Sequence, residues 1–278
     1  SVGTAPSVAT APSAAPAAAT APARRAVPPE QQAALFAAEM RRLNPAYDLT
    51  NVESSGEPGG TWGVWCYRAG ELTDLAPFTV MSNLRELRVF VEGGGGPRDL
   101  APIRGMPLTA LAMQGCGVDD LAPLAGMPLV ELSLWQSKVD SEGLRVVRSF
   151  PNLTRLNCGG GQGLVRDLSA LRGLRLESLC INYTDVDDLS PLAGMPLRTL
   201  LMQRTRVTDL RPLAGMPLEE LRLEGTPAAD LTPLRGLPLK KLGIDYDATR
   251  HAALLRAIPT LTEINGRPAA EVLGGAGR

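Results

Sequence analysis

The stretch Asp188-Leu-Ser-Pro-Leu-Ala-Gly-Met-Pro-Leu-Arg-Thr-Leu-Leu-Met-Gln-Arg-Thr-Arg-Val-Thr208 limits the possible folds of this chain more than any other, because the chain says it again. Asp209 and Asp230 reopen the phrase at intervals of twenty-one residues. Asp99 and Asp120 open it too, and Asp74 and Asp167 open looser forms. A chain repeating at this period folds as a stack of like units. No unit can bury its own leucines, so neighbours must cover both sides and the two ends need caps.

Each unit divides in two. In D-L-x-P-L-x-G, Asp188 can accept from backbone N–H groups two or three residues on. Pro191 fits a first helical turn, where its missing N–H costs nothing. Gly194 can take the positive φ that ends the turn. The segment is too short for an ordinary helix, so a 3₁₀ turn or a single α turn is expected. In M-P-L-x-x-L-x-L, Pro196 suits the entrance of a strand. Leu197, Leu200 and Met202 then point to one side, and Thr199, Leu201 and Gln203 to the other. Val207 drops inward before the next Asp.

The pattern L-x-x-L-x-L-x-x-[T/C/S]-x-V resembles the leucine-rich repeat. It opens at Leu84, Leu108, Leu129, Leu153, Leu176, Leu197, Leu218 and Leu239, with a weaker ninth at Leu261, and covers residues 72–266. The resemblance implies an α/β leucine-rich-repeat solenoid: a parallel β-sheet on the concave face, short 3₁₀ or α turns on the convex face, and helical and aromatic caps. The family's usual Asn at the ninth position is replaced by Cys116, Ser137, Thr184, Thr205 or Thr226. Their hydroxyls and thiol can still bond neighbouring backbone, so a ladder is expected in another form.

Residues 1–28 are low in complexity, with Ala and Pro at sixteen of the positions, and read as a disordered linker from something upstream. The chain is accordingly expected to be a piece of a longer protein. Residues 29–71 read as an N-terminal cap. A helix over 29–43 presents Phe36, Met40 and Leu43, with Leu35 and Ala33 beside them. A strand or hairpin at Trp62–Tyr67 follows, its aromatics covering the open leucine core. Residues 72–246 form the solenoid. Gly93–Gly96 and Gly159–Gly163 lengthen two loops, and Val139–Pro151 replaces a short turn with a real helix, Leu144, Val147 and Phe150 facing inward. Residues 247–266 close the stack with a helix over Thr249–Ile258 and a last strand, Leu261–Ile264. Residues 267–278 read as a tail.

Little in the chain points to chemistry. The net charge is −1, which gives no basic footprint for nucleic acid. No apolar run reaches the length of a membrane span. His251 stands alone. Cys66, Cys116, Cys158 and Cys180 have no zinc spacing; Cys116 and Cys158 read as buried thiols, while Cys180 alternates outward and reads as exposed. The glycine runs never continue into Gly-Lys-[Ser/Thr], so no phosphate loop forms. In Asp119-Asp120 and Asp187-Asp188 the second member is the cap of the next turn. No catalytic set, metal site or cofactor is expected.

The outward residues fall into columns. One holds Phe90, Gln114, Trp135, Gly159, Asn182, Gln203, Glu224 and Asp245. The next includes Arg88, Leu201 and Arg222. A third runs from Glu86 through Glu131, Arg155 and Glu220 to Lys241. Trp135 stands out as a strand-facing tryptophan among small side chains, either a binding residue or one lying flat over its neighbours. The expected ligand is a protein or peptide, docked on Arg88, Phe90, Gln114, Trp135, Asn182, Leu201, Gln203, Arg222, Glu224 and Asp245, with the fragment itself monomeric. A non-catalytic interaction module is the first reading. The combination D-L-x-P-L-x-G-M-P-L, a helix ending L-N-P and the closing I-N-G-x-P-A-A-E is also similar to repeat regions of bacterial multidomain proteins, several with an upstream Ser/Thr kinase domain. That resemblance implies a second reading, a sensor or regulatory region of a kinase. A spacer without a specific ligand is the third. The soluble chain could work on either the cytoplasmic or the extracytoplasmic face of a cell.

Overall fold

The structure, a computed structural model, describes residues 29–56, 60–161 and 163–274; the N-terminal linker and the last four residues lie outside it. The fold is a leucine-rich-repeat solenoid. A helix, α1 (Pro29–Leu43), precedes twelve strands that pair in sequence order. They are β1 (Val52–Gly56), β2 (Trp62–Cys66), β3 (Leu84–Phe90), β4 (Ala110–Gln114), β5 (Glu131–Ser133) and β6 (Arg155–Asn157), then β7 (Ser178–Cys180), β8 (Thr199–Leu201), β9 (Glu220–Arg222), β10 (Lys241–Gly243), β11 (Glu263–Ile264) and β12 (Arg267–Pro268). From β2 to β11 the strands run parallel, and the outermost, β1 and β12, turn back antiparallel.

The repeat grammar works as its chemistry dictates. Outside the 139–151 insertion, each turn between the parallel strands β3 to β10 is a 3₁₀ segment of three residues such as Ser190–Leu192. The Asp188 carboxylate accepts the Ser190 N–H at 2.7 Å, and Asp209 and Asp230 accept from Arg211 and Thr232 at 2.9 Å each. At Asp167 the Ser169 backbone N–H holds the carboxyl below the ordinary range. Leu200 lies between Leu179 and Leu221 in register, and all three are fully buried. Repeated down the stack, this makes one continuous leucine core.

Ladder bonding at the ninth position is local. The Thr184, Thr205 and Thr226 hydroxyls donate to the carbonyls of Ile181, Met202 and Leu223, three residues back in the same coil, at 2.7–2.9 Å. The hydroxyl is too short to reach the next coil, so it staples its own strand exit. The insertion at 139–151 is also not the α-helix expected. It is a 3₁₀ helix, Gly143–Ser149, started by Asp140 accepting the Gly143 N–H at 2.8 Å. Leu144, Val147 and Phe150 are buried, and their uniform spacing of three is the 3₁₀ period.

At the N-terminal end Val64 and Cys66 face the core, with Trp62 and Phe36 packed against it. Trp65 and Tyr67 do not cover the leucines as expected. Alternation turns both to the concave side, Trp65 in register with Arg88 and Tyr67 stacked on Phe90 at 5.3 Å. Asn44, at the end of α1 and only 2% exposed, docks the cap. Its carbonyl oxygen accepts the Thr73 and Asp74 N–H groups at 2.9 and 2.8 Å, and its amide donates to the Asp74 carbonyl at 2.9 Å. Asn44→Ala would strand these backbone groups and is expected to cost about 2 kcal/mol in chemical denaturation. A loss under about 0.5 kcal/mol would show that the cap is held by α1 packing alone.

The C-terminal cap begins with α2 (Ala248–Arg256), two residues shorter at its end than expected because Pro259 follows closely. Asp247 caps it, accepting from Thr249 and Arg250 N–H. Residues 267–274 are more than a tail. They supply β12 and α3 (Ala269–Gly274), which pair with and pack on the last coil.

Candidate binding face

Register carries the outward columns across the sheet. Arg88, Ala112, Ser133, Asn157, Cys180, Leu201, Arg222 and Gly243 align strand by strand. The column at the strand exits starts one coil earlier than the repeats do, with Tyr67 beside Phe90. Beyond Gln114 it continues past the regular strands, because the next residue of each coil donates its N–H to the following coil. Gly115 bonds the Trp135 carbonyl at 2.8 Å, Gly160 that of Asn182 at 2.8 Å, and Tyr183 that of Gln203 at 2.9 Å.

Several predicted ligand contacts are engaged within the protein. Arg88 pairs with Glu86 and, at 2.7 Å, with Glu131, which also holds Arg155 at 3.0 Å. Arg222 bonds Glu220 at 3.2 Å and lies 3.7 Å from both Glu224 and Glu263. Asn182, read as a contact residue, is buried, its carbonyl oxygen accepting the Gln203 N–H at 2.7 Å. Asp245 accepts the Gly225 N–H at 2.7 Å. Gln114 donates to Ser133 at 3.2 Å. Cys180 does point outward but is only 9% exposed, walled by Asn157 and Leu201 on the adjoining strands. With Leu201, Gln114 and Arg155 it lines a shallow depression of about 290 Å³. Desolvation pushes the thiols of Cys66, Cys116 and Cys158 up to about 12, and raises that of Cys180. A thiol kept protonated in this way is a poor nucleophile. His251 accepts the Asp247 N–H on Nδ1 at 3.0 Å, a contact internal to its own helix cap.

Trp135 packs over its neighbours, as one of its two readings expects, and keeps part of its surface open. It is half-buried and lies over the next coil, where a Cβ on Gly159 would stand 2.9 Å from its ring and one on Gly160 3.1 Å. Across that glycine coil it meets Tyr183 edge to face, with ring centroids 6.0 Å apart. Tyr183 is 45% exposed, and the Arg204 guanidinium sits 5.6 Å from its ring centroid. Aromatic pairs and cation–π contacts of this kind hold side chains in place while leaving faces free.

Tyr183 and Arg204 were not among the predicted residues. They follow the last outward position of their strands, where the backbone bends into the left-handed region at φ 58° and 54°. Gln136 shares the bend at 57°. The equivalent residues of three other coils are Gly115, Gly160 and Gly225, for which the bend is free. A side chain there costs roughly 1–2 kcal/mol. A bulky residue where other coils use glycine is the sequence signal for this edge.

Among the described residues no helix is long and apolar enough to cross a membrane, and no cluster of three or more His, Cys, Asp or Glu could hold a metal. No family model matches the chain. No curated protein matches it. Solved structures do. An internalin (InlF) from Listeria monocytogenes aligns with a TM-score of 0.50 at 21% identity over 69% of this chain, which spans 64% of that structure's length. An internalin C2 from the same organism aligns with a TM-score of 0.57 at 25% identity, over 66% of this chain and 80% of that one. The likeness is in the winding of the backbone: the chain is similar to the leucine-rich-repeat solenoids of the Listeria internalins.

Proposed function

We propose that the chain is a non-catalytic protein-interaction module whose concave face receives a protein or peptide along the strand-exit column. The observation that carries this reading is the pair Trp135 and Tyr183. Both rings are seated by neighbours and both keep open area, on a face where Arg88, Arg155 and Arg222 are already paired with glutamates of the sheet. Preplaced aromatic surface loses little entropy on binding, which is how hot spots gain their energy. Phe90, with Tyr67 stacked on it from the coil before, lies two coils away, roughly 10 Å along the same column, so one extended segment can touch both. A regulatory role beside a kinase domain draws no support from the structures compared, and the interaction reading does not depend on it.

The test uses a photo-crosslinking residue placed at position 135, with Ala193 on the convex side as control. A partner captured through 135 and not through 193 is then titrated against the unmodified chain. Trp135→Ala is expected to weaken that affinity about thirtyfold. Capture through 193 with an unchanged Trp135→Ala affinity would move the binding surface to the convex side. No capture at either position would leave the spacer reading in possession.

A further inference from the structure

We infer that the segment received at the Trp135–Tyr183 edge is acidic, with an apolar or aromatic residue set among its carboxylates. The inference rests on the interaction reading above and adds the chemistry of the partner.

The two rings provide the apolar seat, and surplus positive charge borders it. Arg204 packs on Tyr183, and no carboxylate pairs with it among the described residues. Two residues on, Arg206 holds Asp185 at 2.9 Å, and Arg166 reaches the same carboxylate at 3.4 Å. Two guanidiniums therefore share one carboxylate, and the third, Arg204, has only the Tyr183 ring. The open sheet is different. There Arg88 is closed by two glutamates and Arg222 by three. A partner's carboxylate would have to displace those, whereas at the edge it finds a guanidinium with its N–H groups unspent. A guanidinium resting on a ring keeps its donor edge available for a planar, two-point bond to a carboxylate. A basic partner would meet only repulsion. A long polyanion is the poorer fit, because the basic group is one compact cluster on a chain of net charge −1, not a stripe that could track a backbone.

The probe is a fluorescein-labelled peptide with Asp and Glu flanking a central Phe, titrated against the full chain by fluorescence anisotropy. It is expected to bind at least about tenfold more tightly than versions with Lys for the acids or Ala for the Phe, and to lose about tenfold in affinity with Arg204→Glu. Arg204 is exposed, so this substitution leaves the fold intact. Equal affinities for the three peptides, or an affinity indifferent to Arg204→Glu, overturn the acidic assignment. If Trp135→Ala weakens the peptide and Arg204→Glu does not, the acidic assignment falls alone. If neither matters, the concave-face reading falls with it. A single-stranded oligonucleotide that binds more tightly than the acidic peptide would also overturn the assignment, by putting a nucleic acid in its place.

Discussion

Gly115→Ala is expected to destabilise the solenoid by about 3–5 kcal/mol, while Gly194→Ala costs only about 1–2 kcal/mol. The two glycines share nearly the same backbone, at φ 71° and 75°. Both substitutions therefore carry the left-handed penalty of an L side chain. They differ in space. Nothing lies within 4 Å of a Cβ added at Gly194, on the convex turn. One added at Gly115 would stand 2.3 Å from the Val91 carbonyl oxygen and 3.2 Å from its carbon. That neighbour is backbone, and the Val91 N–H is itself bonded to the Gln114 carbonyl at 2.9 Å, so it cannot yield alone. Urea unfolding followed by circular dichroism separates the two. Losses equal within about 0.5 kcal/mol would mean that the strand exit at β4 is soft enough to move aside.

Leu200→Ala is expected to cost about 2–5 kcal/mol. The side chain is fully buried in the middle of the stack, with Leu179 and Leu221 aligned on either side. Removing it opens a cavity that neither neighbour can fill, because each is held in register by its own strand. In a stack where every coil depends on the next, the loss is shared by both halves. Hydrogen exchange should show protection falling in β7 and β9 as well as in β8. Loss confined to β8, or a stability change below about 1 kcal/mol, would show that the coils are energetically independent.

The parts of this fold that recur were legible from the residues, and those that depend on a single coil were not. Asp188, Gly194 and Leu200 each occur in several copies, and each copy faces the same constraint, so phase and facing could be read directly. The 139–151 insertion occurs once. Its apolar spacing of three was visible, but the expectation of an ordinary helix hid it. Trp65 and Tyr67 also obeyed plain alternation, and their bulk drew them wrongly to the core. The face was harder to read. Glu131 and Arg155 stand twenty-four residues apart, and only register makes them partners. Whether a charge on the concave side is free or already matched is a property of neighbouring coils, and no single repeat contains it. Tyr183 escaped because the left-handed bend takes it out of the alternation that defines the columns.

The contact of Trp135 with Tyr183 across the glycine coil sets a fixed gauge on this surface. The rings meet because one narrow turn of the superhelix separates them. Adding a repeat between the two would part them by roughly another 4.8 Å and dissolve the pair, although every leucine would still find its place. Growth by duplication is therefore harmless to the scaffold at any point along its length, but within this short interval it would erase what the surface can recognise.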